Sequence, residues 1–386
     1  VAAFGNGRRR SGRARRNGGS GRPDGAARGN GVYAALDLGT NNCRLLVARP
    51  SQEGFRVVDA FSRIVRLGEG LSASGKLSDQ AMARTLEALK VCAAKIRRRG
   101  VTQVRAVATE ACRQADNCEA FLATVRQETG IELEIISQDE EAKLAICGCA
   151  PLIDPEVPDI LLFDIGGGST EICWLKAAET AQSGSAGSNG AQGNGTRGLI
   201  GADLSLFAWA SVPIGVISLA ERFGGVDLTP GDYDAMVAAM DESIADFARQ
   251  HDVRAAVADS KVQMLGTSGT VTTLAGVHLD LPRYDRATVD GRYLEMETVH
   301  EICSRIAGMS YGERAGHACI GEERADLVVA GCAILTALCN LWPAERLRVA
   351  DRGLREGMLY TMIQGATMPH PVGSGGGQAA RAAGDT

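Results

Sequence analysis

Two short loops in this chain carry the residue types that hold phosphate. The first is Asp37-Leu38-Gly39-Thr40-Asn41-Asn42 and the second is Asp164-Ile165-Gly166-Gly167-Gly168-Ser169-Thr170. A phosphate chain needs backbone N–H groups at close range, and Gly39, Gly166, Gly167 and Gly168 allow that approach. Thr40, Asn41, Asn42, Ser169 and Thr170 add neutral donors. Asp37 and Asp164 each stand where an apolar run ends, so both carboxylates should project into a shared cleft. There they can hold Mg²⁺ directly or through water. A third stretch, Gly266-Thr267-Ser268-Gly269-Thr270, leads from an apolar run into a helix start, a natural anion site. Each loop alone reads as a turn. Three of them, each after a strand-like run, read as a phosphate site.

None is a Walker loop or a dinucleotide fingerprint, since no Gly-Lys-Ser/Thr and no Gly-x-Gly-x-x-Gly opens a helix. Without a phosphate-loop lysine, the charge must be met by metal and arginine. Arg113, in Ala108-Thr109-Glu110-Ala111-Cys112-Arg113-Gln114-Ala115-Asp116-Asn117, which a polar turn would expose at a strand end, is the candidate, and a plain surface arginine is the other reading. Hydrolysis also needs a group that activates water. Ser137-Gln138-Asp139-Glu140-Glu141-Ala142 puts three acids at a helix start. Asp139 and Glu140 suit the helix dipole. Glu141 shares a face with Leu144 and Ala145 and is expected to point into the cleft. Glu171 follows the second loop and alternates with Ile172, where a carboxylate can bind metal or orient water.

Positioning these residues requires a repeated frame. Val32 to Asp37 and Cys43 to Ala48 read as a hairpin, Phe55 to Leu67 as a third strand, and Ser78 to Arg99 as a capped amphipathic helix. Val104 to Ala108 and Leu133 to Ile136 read as strands, and Glu119 to Thr129 and Asp139 to Gly148 as helices. The pattern restarts at Asp159 to Asp164, returns at Thr170 to Leu175 and continues at Leu206 to Pro213. Helices follow near Val216 to Phe223, Asp232 to Arg249, Glu297 to Gly308, Glu322 to Cys339 and Leu354 to Gln364. Val262 to Leu265 is a strand. Tyr33-Ala34-Ala35-Leu36-Asp37-Leu38-Gly39 and Ile160-Leu161-Leu162-Phe163-Asp164-Ile165-Gly166 occupy equivalent places, so the expected fold class is α/β with two duplicated domains flanking a cleft. The boundaries are a disordered basic tail over 1–31, a first domain over 32–155, a second over 156–368 with a disordered insertion at 182–197, and a disordered tail over 369–386.

At 386 residues the chain suits about two domains. Its net charge of −5 is unevenly spread, with eight arginines within the first 28 residues. That arm reads as a solvated tail, the alternative being an electrostatic arm for nucleic acid or polyphosphate. No aromatic residues interleave its arginines, which argues against specific nucleic-acid binding. The 11 cysteines are odd in number and lie in apolar segments, as expected of core thiols in a reducing compartment rather than a disulfide framework. No apolar run reaches the roughly 20 residues of a membrane span, and no signal-peptide core follows the basic start. The default location is cytoplasmic, and a homodimer is compatible with the sequence.

In these stretches, together with Pro213-Ile214-Gly215-Val216 and Gly353-Leu354-Arg355-Glu356-Gly357, the chain resembles the exopolyphosphatase/guanosine pentaphosphate phosphohydrolase (Ppx/GppA) family. That family lies within the actin, heat-shock chaperone and sugar-kinase superfamily, whose domains are ribonuclease-H-like. The resemblance implies hydrolysis of the terminal phosphate of polyphosphate or of the 5′ γ-phosphate of guanosine pentaphosphate, a stringent-response nucleotide. It also implies Glu141 as general base, Glu171 as a metal- or water-positioning acid, Asp37 and Asp164 on Mg²⁺, and Arg113 on phosphate. Longer members carry further helices with a His-Asp pair; among the five histidines here only His251 is followed by an aspartate, Asp252, and it lies well before the last family stretch. Two rivals stand beside hydrolysis: an ATP-dependent kinase of the same superfamily, and a non-catalytic sensor of the same ligands.

Overall fold

The computed structural model of the chain describes residues 31–52, 54–177, 204–258 and 262–364. The expectations for residues 1–30, the insertion 182–197 and the tail 369–386 lie outside the described residues.

The first half runs β1 (Tyr33–Leu38), β2 (Asn42–Ser51), β3 (Gly54–Ile64), α1 (Leu71–Ser74), α2 (Asp79–Arg98), β4 (Gln103–Ala108), α3 (Glu110–Gln114), α4 (Cys118–Thr129), β5 (Glu134–Ile135) and α5 (Gln138–Cys149). The second half runs β6 (Asp159–Ile165), β7 (Thr170–Ala177), β8 (Leu204–Val212), α6 (Val216–Phe223), α7 (Pro230–His251), α8 (Val253–Ala258), β9 (Val262–Thr267), α9 (Gly269–His278), α10 (Arg286–Val289), β10 (Tyr293–Glu295), α11 (Met296–Ala307), α12 (Tyr311–Gly316), α13 (Val328–Leu341), β11 (Arg346–Ala350) and α14 (Leu354–Gln364). The first sheet has the order β3-β2-β1-β4-β5, and the second β10-β11-β9-β6-β7-β8. With β10 set aside, the second order is the first repeated: third, second, first, fourth and fifth strand of the unit. In each half the first three strands form an antiparallel meander, and the fourth pairs parallel with the first. The duplication read from the sequence is therefore a duplication of topology.

Local chemistry explains the element starts that matter for the site. Ser78 caps α2 by accepting the Ala81 amide at 3.2 Å. Ser137 caps α5 by accepting the Glu140 amide at 3.1 Å. Asp139 then pairs with Lys143 at 2.7 Å, and Glu140 pairs with Arg105. Both acids are thus occupied outside the cleft, and Glu141 is left for the inner face.

Helices α5 and α14 join the halves. Ala142, Ile146 and Cys149 pack with Leu162, Cys173 and Leu265 of the second sheet. Leu144 joins Ala35 and Val107 of the first sheet and Met358 of α14. A helix apolar on nearly every side belongs between two layers. Its partner approaches very closely: a Cβ on Gly148 would lie 1.9 Å from the Gly353 carbonyl oxygen, and one on Gly357 would lie 1.9 Å from that of Leu144. Only glycine permits this crossing. Helix α14, grouped by sequence with the second half, therefore packs on the first sheet.

Two expectations change. Residues 322–327 form turns, and the helix expected from Glu322 begins at Val328. The segment's residues favour helix, but Asp326 is drawn across to Arg66, as described below. The segment from Ala108, expected as a polar turn, contains the short helix α3. All 11 cysteines are buried free thiols, and among the described residues no helix is long and apolar enough to cross a membrane.

Candidate active site

The cleft between the two sheets has a volume of about 1000 Å³, counted out to solvent. Asp37, Gly39, Thr40, Asn41 and Asn42 line one side, and Asp164, Gly166, Gly167, Gly168 and Ser169 the other. Ser268, Gly269 and Thr270 at the start of α9 form the third wall. The three loops predicted to converge do so.

Each loop is braced so that its amides remain available. The Gly39 amide donates to the Asn42 carbonyl at 2.9 Å, and that of Gly166 to the Ser169 carbonyl at 2.9 Å. The carbonyls of Gly166 and Gly167 accept the Val216 and Ile217 amides at the start of α6, at 3.0 and 2.8 Å. On the first side, the Asn41 carbonyl accepts the Val65 and Arg66 amides, and the Thr40 carbonyl that of Gly68. With the carbonyls occupied, the amides of Thr40, Asn41, Gly167 and Gly168 donate to no protein group among the described residues. Polar N–H groups of this kind are rarely left unpaired except toward solvent or an anion. The Asn41 Oδ1 atom is buried without a hydrogen-bond partner.

Glu141 lines the same cleft. Its Oε2 is buried and lies 2.8 Å from Arg113 Nη1, an ion pair. Burial first, and the Glu171 charge second, push its proton affinity well above the ordinary carboxylate value. A carboxylate that holds protons tightly and lines the cleft is equipped to take one from water.

A model of the Ppx/GppA phosphatase family matches residues 46–190 and 193–366. The chain belongs to the Ppx/GppA family. Among solved structures it is similar to an exopolyphosphatase-like protein, with 26% identity, a TM-score of 0.73, and coverage of 86% of this chain and 97% of that one. It is also similar to the Aquifex aeolicus Ppx/GppA family member, with 25% identity, a TM-score of 0.65, and coverage of 87% and 98%. An exopolyphosphatase from Cytophaga hutchinsonii, 23% identical over 88% of this chain and 100% of that one, shares the fold at a TM-score of 0.73.

Within this Ppx/GppA cleft several residues sit elsewhere than expected. Arg113 is not on the cleft wall: its Nε and Nη2 donate to Glu110 Oε2 at 2.9 and 2.6 Å, and Nη1 donates to the Ile136 carbonyl at 2.9 Å. It braces Glu141 instead of facing phosphate, because two acids and a carbonyl consume its donors. Glu171 lies one layer below the wall, accepting the Ser169 hydroxyl at 2.6 Å and the Ser211 hydroxyl at 3.0 Å. Thr170 is also buried, its hydroxyl donating to the Ile214 carbonyl at 2.7 Å. Gly266 lies inside β9, where a Cβ would meet the Phe163 ring at 2.6 Å, so its smallness serves core packing. Thr267 donates to the Arg352 carbonyl and lines a smaller adjoining cavity.

Among the described residues the cations on the cleft wall are Arg44 and Arg324, neither singled out from sequence. A signal existed for Arg44: it lies directly opposite Asp37 in the β1–β2 ladder, a register the hairpin reading allows. Arg324 comes from the turn segment and had none. Glu110, also on the wall, was passed over within a stretch quoted for Arg113.

The acids are consistent with a hard divalent cation. Asp37 and Asp164 both face the cleft. Burial raises Asp37, against the pull of Arg44, and raises Asp164 to about 8, with Glu171 adding to the rise. Neither aspartate has a salt bridge among the described residues. Among those residues no three His, Cys, Asp or Glu side chains converge on one point. Mg²⁺ does not need an all-protein cage: it usually takes one or two carboxylates, water and substrate phosphate. Asp37 and Asp164 fit this role. Glu171, expected as a third ligand, is engaged by two hydroxyls.

Proposed function

We propose that this phosphatase-family chain releases the terminal phosphate of inorganic polyphosphate or the 5′ γ-phosphate of guanosine pentaphosphate. The observation that supports this most is the buried carboxylate of Glu141, its proton affinity raised, lining a cleft rimmed by unpaired loop amides. A binding protein needs the amides; a buried base beside them adds nothing to anion affinity and suits water activation.

The terminal phosphoryl group would rest on the amides of Thr40, Asn41, Gly167 and Gly168, with Arg44 and Arg324 meeting its charge. Glu141 would take the proton of a water aligned for in-line attack. The amides and arginines would stabilise charge on the equatorial oxygens, the main task in phosphoryl transfer. Asp37 and Asp164 would hold Mg²⁺, which supplies charge neutralisation on the phosphates when bound. Ser169, fixed by Glu171, would add a hydroxyl at the second loop. A cytoplasmic location and a dimer belong to this reading as expectations.

Glu141→Gln tests it. Phosphate release from short polyphosphate and from guanosine pentaphosphate should fall by at least about 10³-fold, with substrate affinity within a few-fold of wild type. Turnover at the wild-type rate would remove Glu141 from the mechanism. Binding without release in the wild-type protein with Mg²⁺ would favour a sensor. Release of ADP from ATP only when an acceptor is added would favour a kinase.

A further inference from the structure

Glu110 is 6% exposed and opens the short helix α3. Every oxygen of its carboxylate is held. Oε2 accepts the Nε and Nη2 of Arg113 at 2.9 and 2.6 Å, and Gln138 Nε2 at 3.4 Å; Oε1 accepts Gln114 Nε2 at 2.6 Å. Arg113 is three residues on and shares its face of the helix. Gln138 opens α5, the helix that carries Glu141 three residues later. A Cβ on Gly168 of the second phosphate loop would lie 3.2 Å from Glu110 Cγ. One carboxylate thus ties α3 to the head of α5, and its stem lies beside the opposite loop.

The Arg113 guanidinium is a planar fork with two usable edges. Its Nε/Nη2 edge is taken by Glu110. Its remaining nitrogen, Nη1, reaches both the Ile136 carbonyl and Glu141. We propose that Glu110 is a positioning residue for phosphate release: it grips one edge of Arg113 and so fixes the other edge against Glu141. The inference rests on the Glu141 reading above. Glu110 also sets how much of one positive charge Glu141 receives. With Glu110 present, Arg113 is shared between two carboxylates and meets Glu141 through Nη1 alone. Without Glu110, the fork is free to turn and pair two nitrogens with Glu141, tying up the carboxylate that would receive the water proton.

The test compares Glu110→Gln and Glu110→Asp, each alone and with Arg113→Lys. Glu110→Gln should lower kcat on the order of 10- to 100-fold, as misplacing a reacting group does, while KM moves less than about threefold. Glu110→Asp keeps the charge on a shorter stem and should recover part of kcat. In the Arg113→Lys background the fork is already gone, so adding Glu110→Gln should cost less than about twofold. Unchanged kcat, a loss confined to KM, or full additivity with Arg113→Lys would overturn the proposal. A second arm does not need activity. In protein labelled with ¹⁵N-arginine, the Arg113 Nε–H should exchange slowly with solvent in wild type and at least about tenfold faster in Glu110→Gln. Equal exchange would also overturn it. If the wild-type protein releases no phosphate from either substrate, the functional reading fails, and the exchange arm still decides whether Glu110 grips Arg113.

Discussion

The two halves of the molecule share a strand order, yet they put different chemistry at one equivalent position. Directly opposite residues in an antiparallel pair share a face of the sheet. In the first half Asp37 stands opposite Arg44; in the second, Asp164 stands opposite Glu171. One unit therefore pairs acid with base, and the other pairs acid with acid. Arg44 draws the pKa of Asp37 downward against burial, whereas Glu171 adds to the burial that carries Asp164 to about 8. The second half answers its own repulsion with the Ser169 and Ser211 hydroxyls on Glu171. A duplicated frame thus provides two equivalent cleft loops, and divergence at a single register position sets them apart. In the proposed reading the first half would supply a cation for the ligand, and the second a concentration of negative charge suited to holding one.

Making the halves alike is the sharpest way to break this comparison. Arg44→Glu would place acid–acid pairs in both halves and leave Arg324 to meet the phosphate charge. Phosphate release should show KM raised on the order of 100-fold, since a charge-assisted contact is lost and a repulsion gained. Arg44→Lys keeps the charge and should stay within about tenfold of wild type. A KM for Arg44→Glu close to wild type, in steady-state assays with either substrate, would show that the arginine is not part of the anion site.

This asymmetry marks where sequence reading worked and where it stopped. The loops were legible because apolar strands, Asp-x-Gly turns and a helix cap are local patterns. The duplicated α/β frame was legible because the pattern recurs. Glu141 was legible by difference, since Asp139 and Glu140 suit the helix start and the next residue turns inward. The places of Arg113, Glu171 and Gly266 were not, because each is decided by partners distant in sequence. Arg113 is captured by Ile136 and Glu141, Glu171 by Ser211, and Gly266 by the Phe163 ring. The turns at 322–327 hid for the same reason: an ion pair to Arg66, some 260 residues away, overrides local helix propensity. Helix α14 reads as one more second-half helix until Gly148 and Gly357 are seen to let it cross α5.

The acid–acid half makes a distinct prediction about pH. The Asp164 carboxyl has an ordinary value of 3.8 and a folded value of about 8. Between these values the folded chain keeps a proton that the unfolded chain has released. The contribution is therefore full below about pH 4 and is lost as pH rises toward 8. Asp37, Glu141 and Glu171 are also raised by burial and act in the same direction. In the presence of a chelator, the melting temperature should fall by several degrees between about pH 5 and pH 8. Asp164→Asn should flatten that slope, and Mg²⁺ should restore stability at the alkaline end. Calorimetric scans showing the same slope in wild type and Asp164→Asn would contradict the assignment of the buried proton to this residue.

The smallest expected effect concerns what holds the unlike halves at working distance. Arg66 Nη1 and Nη2 donate to the two Asp326 oxygens at 2.6 and 2.9 Å, and Nη2 donates also to the Glu323 carbonyl at 3.1 Å. The Arg66 backbone carries a φ of 48°, unusual for a side-chain-bearing residue, and its amide donates to Asn41 of the first phosphate loop. Asp326 closes the turn segment that presents Arg324 to the cleft. One arginine therefore ties the first loop to the cation on the far wall. The pair is partly exposed, with side chains 30% and 20% accessible, so it is worth on the order of 1 kcal/mol. That is enough to change several-fold the population in which the two walls are tied together, without touching the chemistry. Arg66→Ala and Asp326→Ala should each raise KM roughly fivefold and leave kcat within about twofold, with the effect shrinking as ionic strength rises. The double variant should be no worse than either single one, because both remove the same contact. An additive loss in the double variant would show that Arg66 and Asp326 act separately.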